Sequence, residues 1–166
     1  MKKVRVYVDL DGVLADFDSH LAKLAGVTVD KLNLQRSSDK DFDDYVWEIV
    51  RKDPKFFENL DFINKGLWDF IKPFEPIVLT AIPKANRNIH HSGSGKVAWV
   101  HKTLGADVPV IVCLREQKQL FSRPMSVLID DRISNIEEWF SHGGQGIFHT
   151  EEHRSINSMK NILLGL

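Results

Sequence analysis

Two pairs of aspartates, each placed where an apolar run ends, are the residues of this sequence best suited to chemistry. The first pair is Asp9 and Asp11, within Val8-Asp9-Leu10-Asp11-Gly12-Val13-Leu14-Ala15-Asp16-Phe17. Two residues apart at a strand end, their side chains leave on the same side. Gly12 then lets the chain turn tightly. The second pair, Asp130-Asp131, closes the apolar run Leu128-Ile129 and precedes Arg132. Carboxylates gathered at two strand ends repel one another, and a cation relieves that repulsion most cheaply. An all-oxygen set of this kind suits magnesium. Thr80, at the end of Val78-Leu79-Thr80-Ala81, adds a hydroxyl, and Lys118, in Leu114-Arg115-Glu116-Gln117-Lys118, adds a positive charge. Alone, each of these two reads as an ordinary strand-end threonine or a solvated lysine; the acids give them their interest.

The elements that must position these groups are legible as short apolar runs alternating with helix-period segments. That pattern predicts an α/β fold, a parallel sheet covered by helices. Strands are expected at Val4–Asp9, Pro76–Thr80, Pro109–Leu114, Ser126–Asp130 and Gln145–His149. Helices are expected at Lys65–Ile71, Lys96–Leu104, Ile133–Phe140 and Arg154–Leu164, with Gly105 and Gly143 just past two of them, where a left-handed cap is wanted. The acids then fall beyond the carboxyl ends of strands, where open α/β sheets bind ligands. Residues 16–64 break the rhythm: helical patterns at Phe17–Leu24 and Phe42–Val50, and no convincing strand. This stretch is too long for a simple crossover. It reads as a small helical cap, with 1–15 and 65–166 forming the core. Ile89-His90-His91-Ser92-Gly93-Ser94-Gly95 reads as the most flexible loop.

The 166 residues suffice for one compact domain with a sizeable core. Formal net charge is −1, so no global field draws the chain to a nucleic-acid polymer or to a membrane. The single cysteine, Cys113, excludes an intramolecular disulfide and a four-cysteine zinc site, and reads as a buried strand thiol. No run approaches the ~20 apolar residues of a membrane span, and a cytoplasmic location is the default expectation.

The motifs quoted above resemble those of the haloacid dehalogenase-like phosphatases, and more narrowly the 5'(3')-deoxyribonucleotidase branch. The opening Asp9–Phe17 is similar to that branch's Asp-x-Asp-Gly-Val-Leu-Ala-Asp-Phe, and Pro54-Lys55-Phe56-Phe57-Glu58-Asn59-Leu60 to its Pro-x-Phe-Phe-x-x-Leu. Lys96-x-x-Trp99-Val100 through Leu104-Gly105, and Leu128–Arg132, match in order as well. The resemblance implies a three-layer, Rossmann-like parallel sheet with a helical cap inserted after strand one. It implies a magnesium-dependent hydrolase of a small phosphate ester, a deoxyribonucleoside monophosphate, acting as monomer or homodimer. Asp9 takes the nucleophile's place and Asp11 that of the general acid/base. Leu10, Thr80, Ala81 and Lys118 fall on phosphate-binding positions, with Lys96 the alternative lysine. The metal falls to Asp9, Asp131 and the backbone carbonyl of Asp11, with Asp130 supporting from behind. Phe17 and Trp47 face the leaving group.

Two departures stand against the branch. Lys118 stands twelve residues before Asp130, about two more than the resemblance leads one to expect. Where the branch carries an aromatic pair in its cap, this chain has Leu32-Asn33-Leu34-Gln35-Arg36. A phosphatase for another ester, and a binding protein of the same fold without turnover, remain open alternatives. Trp68, Trp99 and Trp139 read as core residues. His90-His91 does not read as a metal pair, nor Gly93–Val97 as a nucleotide loop.

Overall fold

The computed structural model describes residues 4–165; the outermost residues of the expected core, Met1–Lys3 and Leu166, lie outside the described residues. Five strands, β1 (Arg5–Val8), β2 (Ile77–Ala81), β3 (Val110–Cys113), β4 (Ser126–Asp130) and β5 (Gln145–Phe148), form one parallel sheet in the order β3-β2-β1-β4-β5. The chain builds outward from β1 to β3, then returns to the other side of β1 to lay down β4. The direction of winding therefore reverses at the β1/β4 boundary, and a crevice opens beyond the carboxyl ends of those two strands. Val8 lies level with Ile129 in the ladder, and the Asp9 amide donates to the Ile129 carbonyl at 2.9 Å.

Strand alternation sorts the core into two layers. Val6, Val8, Val78, Val127 and Ile129 face the larger cluster, which holds Trp68, Trp99 and Met159 from α4 (Lys65–Ile71), α5 (Ser92–Thr103) and α7 (Glu152–Leu164). Tyr7, Leu79 and Leu128 face the other side, against Trp139 and Ile136 of α6 (Ile133–Ser141) and Phe121 of a 3-10 segment, Arg115–Phe121. The fold is thus the expected α/β sandwich, and the three tryptophans expected in the core are buried in it.

Residues 16–64 form α1 (Phe17–Ala25), α2 (Val29–Ser38), α3 (Lys40–Lys52) and a 3-10 turn, Phe57–Asn59. The middle helix escaped the sequence reading because it buries only Leu32 and carries no apolar stripe. Its legible signal is the cap: the Thr28 hydroxyl accepts from the Lys31 amide. The two connections to the core run side by side. The Asp16 amide donates to the Asp61 carbonyl, and the Ile63 amide to the Leu14 carbonyl.

Two further expectations are corrected. The segment read as the most flexible loop begins α5 at Ser92, four residues before the expected start, and Ser92 and Gly95 are buried. Its glycines serve packing: a Cβ on Gly95 would stand 3.1 Å from the Phe57 Cβ. Cys113 lies in β3 but is only half-buried, because β3 is an edge strand with one neighbour. Gly105 and Gly143 both take positive φ, as expected.

Gly146 on β5 permits a close approach of α6 to the sheet; a Cβ there would fall 2.5 Å from Ile136 Cγ2. Gly146→Ala is expected to push α6 off the sheet and cost about 1–3 kcal/mol. Urea unfolding checks this, and an unchanged midpoint would refute the packing argument.

Candidate active site

The turn after β1 is built around one carbonyl. Leu10 O accepts from the amides of Val13, Leu14 and Ala15 at 3.2, 2.9 and 2.9 Å, and the Gly12 amide donates to Ala15 O. Gly12 adopts φ +78°, and a Cβ there would lie 2.1 Å from Asp131 Oδ2. Glycine is thus required twice, by the backbone and by the neighbouring acid. This turn projects Asp9 and Asp11 towards the end of β4, where Asp130 and Asp131 stand.

Two buried lysines hold the acids. Lys118 Nζ lies 2.9 Å from Asp9 Oδ1 and 2.7 Å from Asp130 Oδ2. Lys96 Nζ donates to Asp11 Oδ2 at 2.7 Å, to Thr80 Oγ1 at 3.2 Å and to the Ala81 carbonyl at 2.5 Å. Both lysines weighed for the phosphate position, Lys118 and Lys96, reach the site, each on a different acid. The twelve-residue spacing of Lys118 from Asp130 is taken up by the seven-residue 3-10 segment and the turn behind it, where Met125 takes φ 68°.

Each acid has a distinct environment. Asp130 is fully buried and already used: Oδ1 accepts from the Arg132 amide and Asn135 Nδ2, and Oδ2 from Lys118 and the same Asn135 nitrogen. Burial and the neighbouring Asp9 raise its carboxyl to about 6 against the pull of Lys118. Asp131 is more open and pairs with no lysine among the described residues; burial, Asp9 and Asp130 raise it to about 7 against the pull of Arg132. Burial also pushes Asp11 up, and the nearby Lys96 only partly offsets this. Asp11 Oδ1 is buried without a hydrogen-bond partner. Burial would lower Lys118, but Asp9 and Asp130 outweigh it and lift the ammonium above the usual lysine range.

Carboxylate oxygens of Asp9, Asp130 and Asp131 lie within 4.8 Å of one another, close enough to share a cation. The donor set fits a hard divalent ion: oxygen ligands, an excess of negative charge, and Asp131 standing in space that any side chain at position 12 would fill. With the oxygens of Asp130 taken by internal donors, Asp9 and Asp131 are the side chains best placed to hold it.

The cleft in front of these groups has a volume of about 690 Å³ and is lined by Ala81, Lys84, Arg132 and, from the helical segment, Phe17, Arg36 and Trp47. Phe17 is only 9% exposed and packs edge-on against Phe56, itself buried beside Phe57. Arg36 lies over both Phe17 and Trp47, 5.9 and 5.4 Å from the ring centres, and Arg87 lies 5.5 Å from the Trp47 ring. Asp43 holds both guanidiniums, accepting from Arg36 Nε at 3.2 Å and from Arg87 Nη2. Phe17 both lines the cleft and packs against Phe56. Periodicity gives no sign of Arg36, since α2 has no amphipathic pattern, and Arg87 stands in a separate 3-10 turn, Ala85–Arg87.

The Leu10 amide donates to Asp9 Oδ1 at 2.8 Å and so orients the carboxylate. His91 binds the Val50 carbonyl through Nε2 and belongs to no acidic cluster.

No protein-family model matches the chain, and no curated protein matches it. Among solved structures, a hydrolase from Streptococcus pneumoniae TIGR4 aligns over 97% of this chain and 98% of that one, with a TM-score of 0.49 and 15% identity.

A raised carboxylate means that the folded state holds a proton which the unfolded chain has released. Stability contributed by Asp131 is then present near its unfolded value and is lost as pH climbs through about 7. In chelator, the wild type should lose stability relative to Asp131→Asn between pH 5 and pH 8. Added magnesium should raise the melting temperature more at pH 8 than at pH 5. Parallel curves for the two proteins would refute the crowding of acids described here.

Proposed function

We propose that the protein is a magnesium-dependent phosphomonoester hydrolase of the haloacid dehalogenase type that works through an aspartyl-phosphate on Asp9. The observation that carries the reading is the unequal treatment of Asp9 and Asp11. One oxygen of Asp9 is fixed by Lys118 and the Leu10 amide, leaving the other free to form a bond. Asp11 is held by Lys96 through one oxygen, while its second is buried and unpartnered. A fixed anion beside a carboxyl with a raised pKa is the pairing that a nucleophile and a general acid need.

Bound beside Asp9 and Asp131, magnesium supplies positive charge that offsets the repulsion between an anionic ester and an anionic attacker. The chain's own groups do the rest. Lys118 and the Thr80 hydroxyl stabilise charge on the phosphoryl oxygens. The Asp9 oxygen forms its bond to phosphorus as the ester P–O bond breaks, and Asp11 Oδ1 delivers its proton to the departing oxygen. Water then attacks the phosphorus of the aspartyl-phosphate, its proton passing to Asp11, and inorganic phosphate leaves with Asp9 restored. Lys96, bonded at once to Asp11, Thr80 and Ala81, keeps the acid aimed at the leaving group.

Residues 16–64 act as the cap, and the leaving group is read by Trp47 and the guanidiniums around it. Planar guanidiniums and indole rings both stack on nucleobases. A deoxyribonucleoside 5'-monophosphate is accordingly the proposed substrate, in agreement with the sequence resemblance.

The test is a panel of phosphate monoesters assayed with magnesium and with chelator. Deoxyribonucleoside monophosphates should be hydrolysed, chelator should abolish release, and Asp9→Asn should retain the fold without turnover. Activity of Asp9→Asn within tenfold of wild type would remove Asp9 as nucleophile. Trp47→Ala should raise KM for nucleotides while leaving a small aryl phosphate nearly unchanged, since stacking on one aromatic is worth about 1–3 kcal/mol. If sugar phosphates are hydrolysed as well as nucleotides, the nucleotide reading falls and the hydrolase reading stands.

A further inference from the structure

We propose, resting on the phosphotransfer reading above, that Asn64 and His149 are positioning residues that lock the turn carrying Asp9 and Asp11 against the strand end carrying Asp131. Neither lines the cleft, so both act through other groups. Asn64 Nδ2 donates to the Val13 carbonyl at 2.7 Å. A carbonyl can only accept, so the amide nitrogen must face it, and the second N–H of that nitrogen reaches His149 Nε2 at 3.0 Å. His149 Nε2 therefore accepts, and its proton sits on Nδ1, donated to Ser155 Oγ at 2.8 Å. Both hydrogens of the Asn64 amide are engaged, and the group has no freedom to rotate.

The other ends of this chain of bonds explain its importance. Val13 belongs to the turn that Leu10 O closes, two residues beyond Asp11. The His149 amide donates to the Asp130 carbonyl at 2.9 Å, tying the imidazole to the end of β4. Asn64 begins α4, just where the helical segment re-enters the core. Three pieces of chain that must keep register for in-line attack thus meet on one amide: the turn after β1, the β4/β5 end and the return from the helical segment. Asn64 reaches all of them from a left-handed backbone, φ 52°, a region that asparagine tolerates better than most residues. His149 and Ser155 are buried, so water cannot replace the bonds if one partner is lost.

That backbone makes a clean experiment possible. Asn64→Gly keeps a positive φ without strain and removes only the amide. Asn64→Asp keeps the shape but sets an oxygen against the Val13 carbonyl. Both variants should lose about 10- to 100-fold in kcat, with KM for a phosphate monoester within about threefold of wild type. Magnesium affinity, measured by calorimetry without substrate, should weaken in step because Gly12 and Asp131 lose their fixed spacing. His149→Phe should behave likewise, while His149→Gln, which still offers an acceptor, should lie closer to wild type. Melting temperatures separate positioning from folding: a kcat loss matched by an equal loss of folded protein overturns the proposal. So do wild-type kcat and magnesium affinity in Asn64→Gly. If the wild type releases phosphate from no monoester, the functional reading fails. The calorimetric comparison then still decides the positioning role, with equal magnesium affinity in wild type and Asn64→Gly counting against it.

Discussion

The Lys118 ammonium, shut between Asp9 and Asp130, is the interaction on which the rest of this structure depends. A lone charge at that depth would be expelled or neutralised. Here each group makes the other tolerable, and removing one partner of such a buried pair typically costs about 3–5 kcal/mol. The arrangement is asymmetric. Four carboxylates (Asp9, Asp11, Asp130 and Asp131) meet at the β1/β4 crevice, and the two lysines pair directly with only three of them, Asp9, Asp11 and Asp130. That crowding, with burial, raises the carboxyls of Asp130 and Asp131 above the usual carboxylate range. A cation bound among these acids would offset their repulsion.

The two sides of the cleft are held by different kinds of interaction. On the core side, the lysines are 2% exposed and their bonds are short. On the side of the helical segment, Arg36 and Arg87 meet Asp43 in partly exposed pairs, of the kind worth about 0–1 kcal/mol each in solvent. Apolar and backbone contacts add to them there: Trp99 Nε1 donates to the Leu60 carbonyl at 2.7 Å, and His91 meets Val50. The acids and lysines at the strand ends are therefore over-determined, whereas the arginines of the helical segment can shift at little cost. A cleft with one rigid wall and one adaptable wall follows.

Sequence reasoning reached what local pattern determines. The central strands were legible because both faces are buried and their apolar runs are continuous, and Asp9, Asp11, Asp130 and Asp131 were legible because each interrupts or ends such a run. Lys96 was harder, since its role depends on α5 starting at Ser92; Gly95, in a stretch that looks like a loop, lets the helix approach Phe57. Asn64 and His149 were invisible as a pair. They lie 85 residues apart and meet only because β5 ends beside the start of α4. Likewise, Arg36 sits on a helix with no amphipathic stripe, and only the fold brings it to Trp47.

The helical segment is also not separable from the chemistry it covers. Phe57, from that segment, packs its Cβ against the backbone of Gly95 and presents its ring to the Lys96 ammonium, 5.1 Å from the ring centre. A cation over an aromatic face gains more when desolvated, and Lys96 is almost entirely buried. Lys96 in turn holds Asp11 and Thr80. The ring that shuts water away from Lys96 is thus supplied by the helical segment. Any motion lifting that segment would rehydrate Lys96 and loosen its grip on Asp11. The seating of the helical segment and the orientation of Asp11 are therefore coupled through one phenylalanine ring.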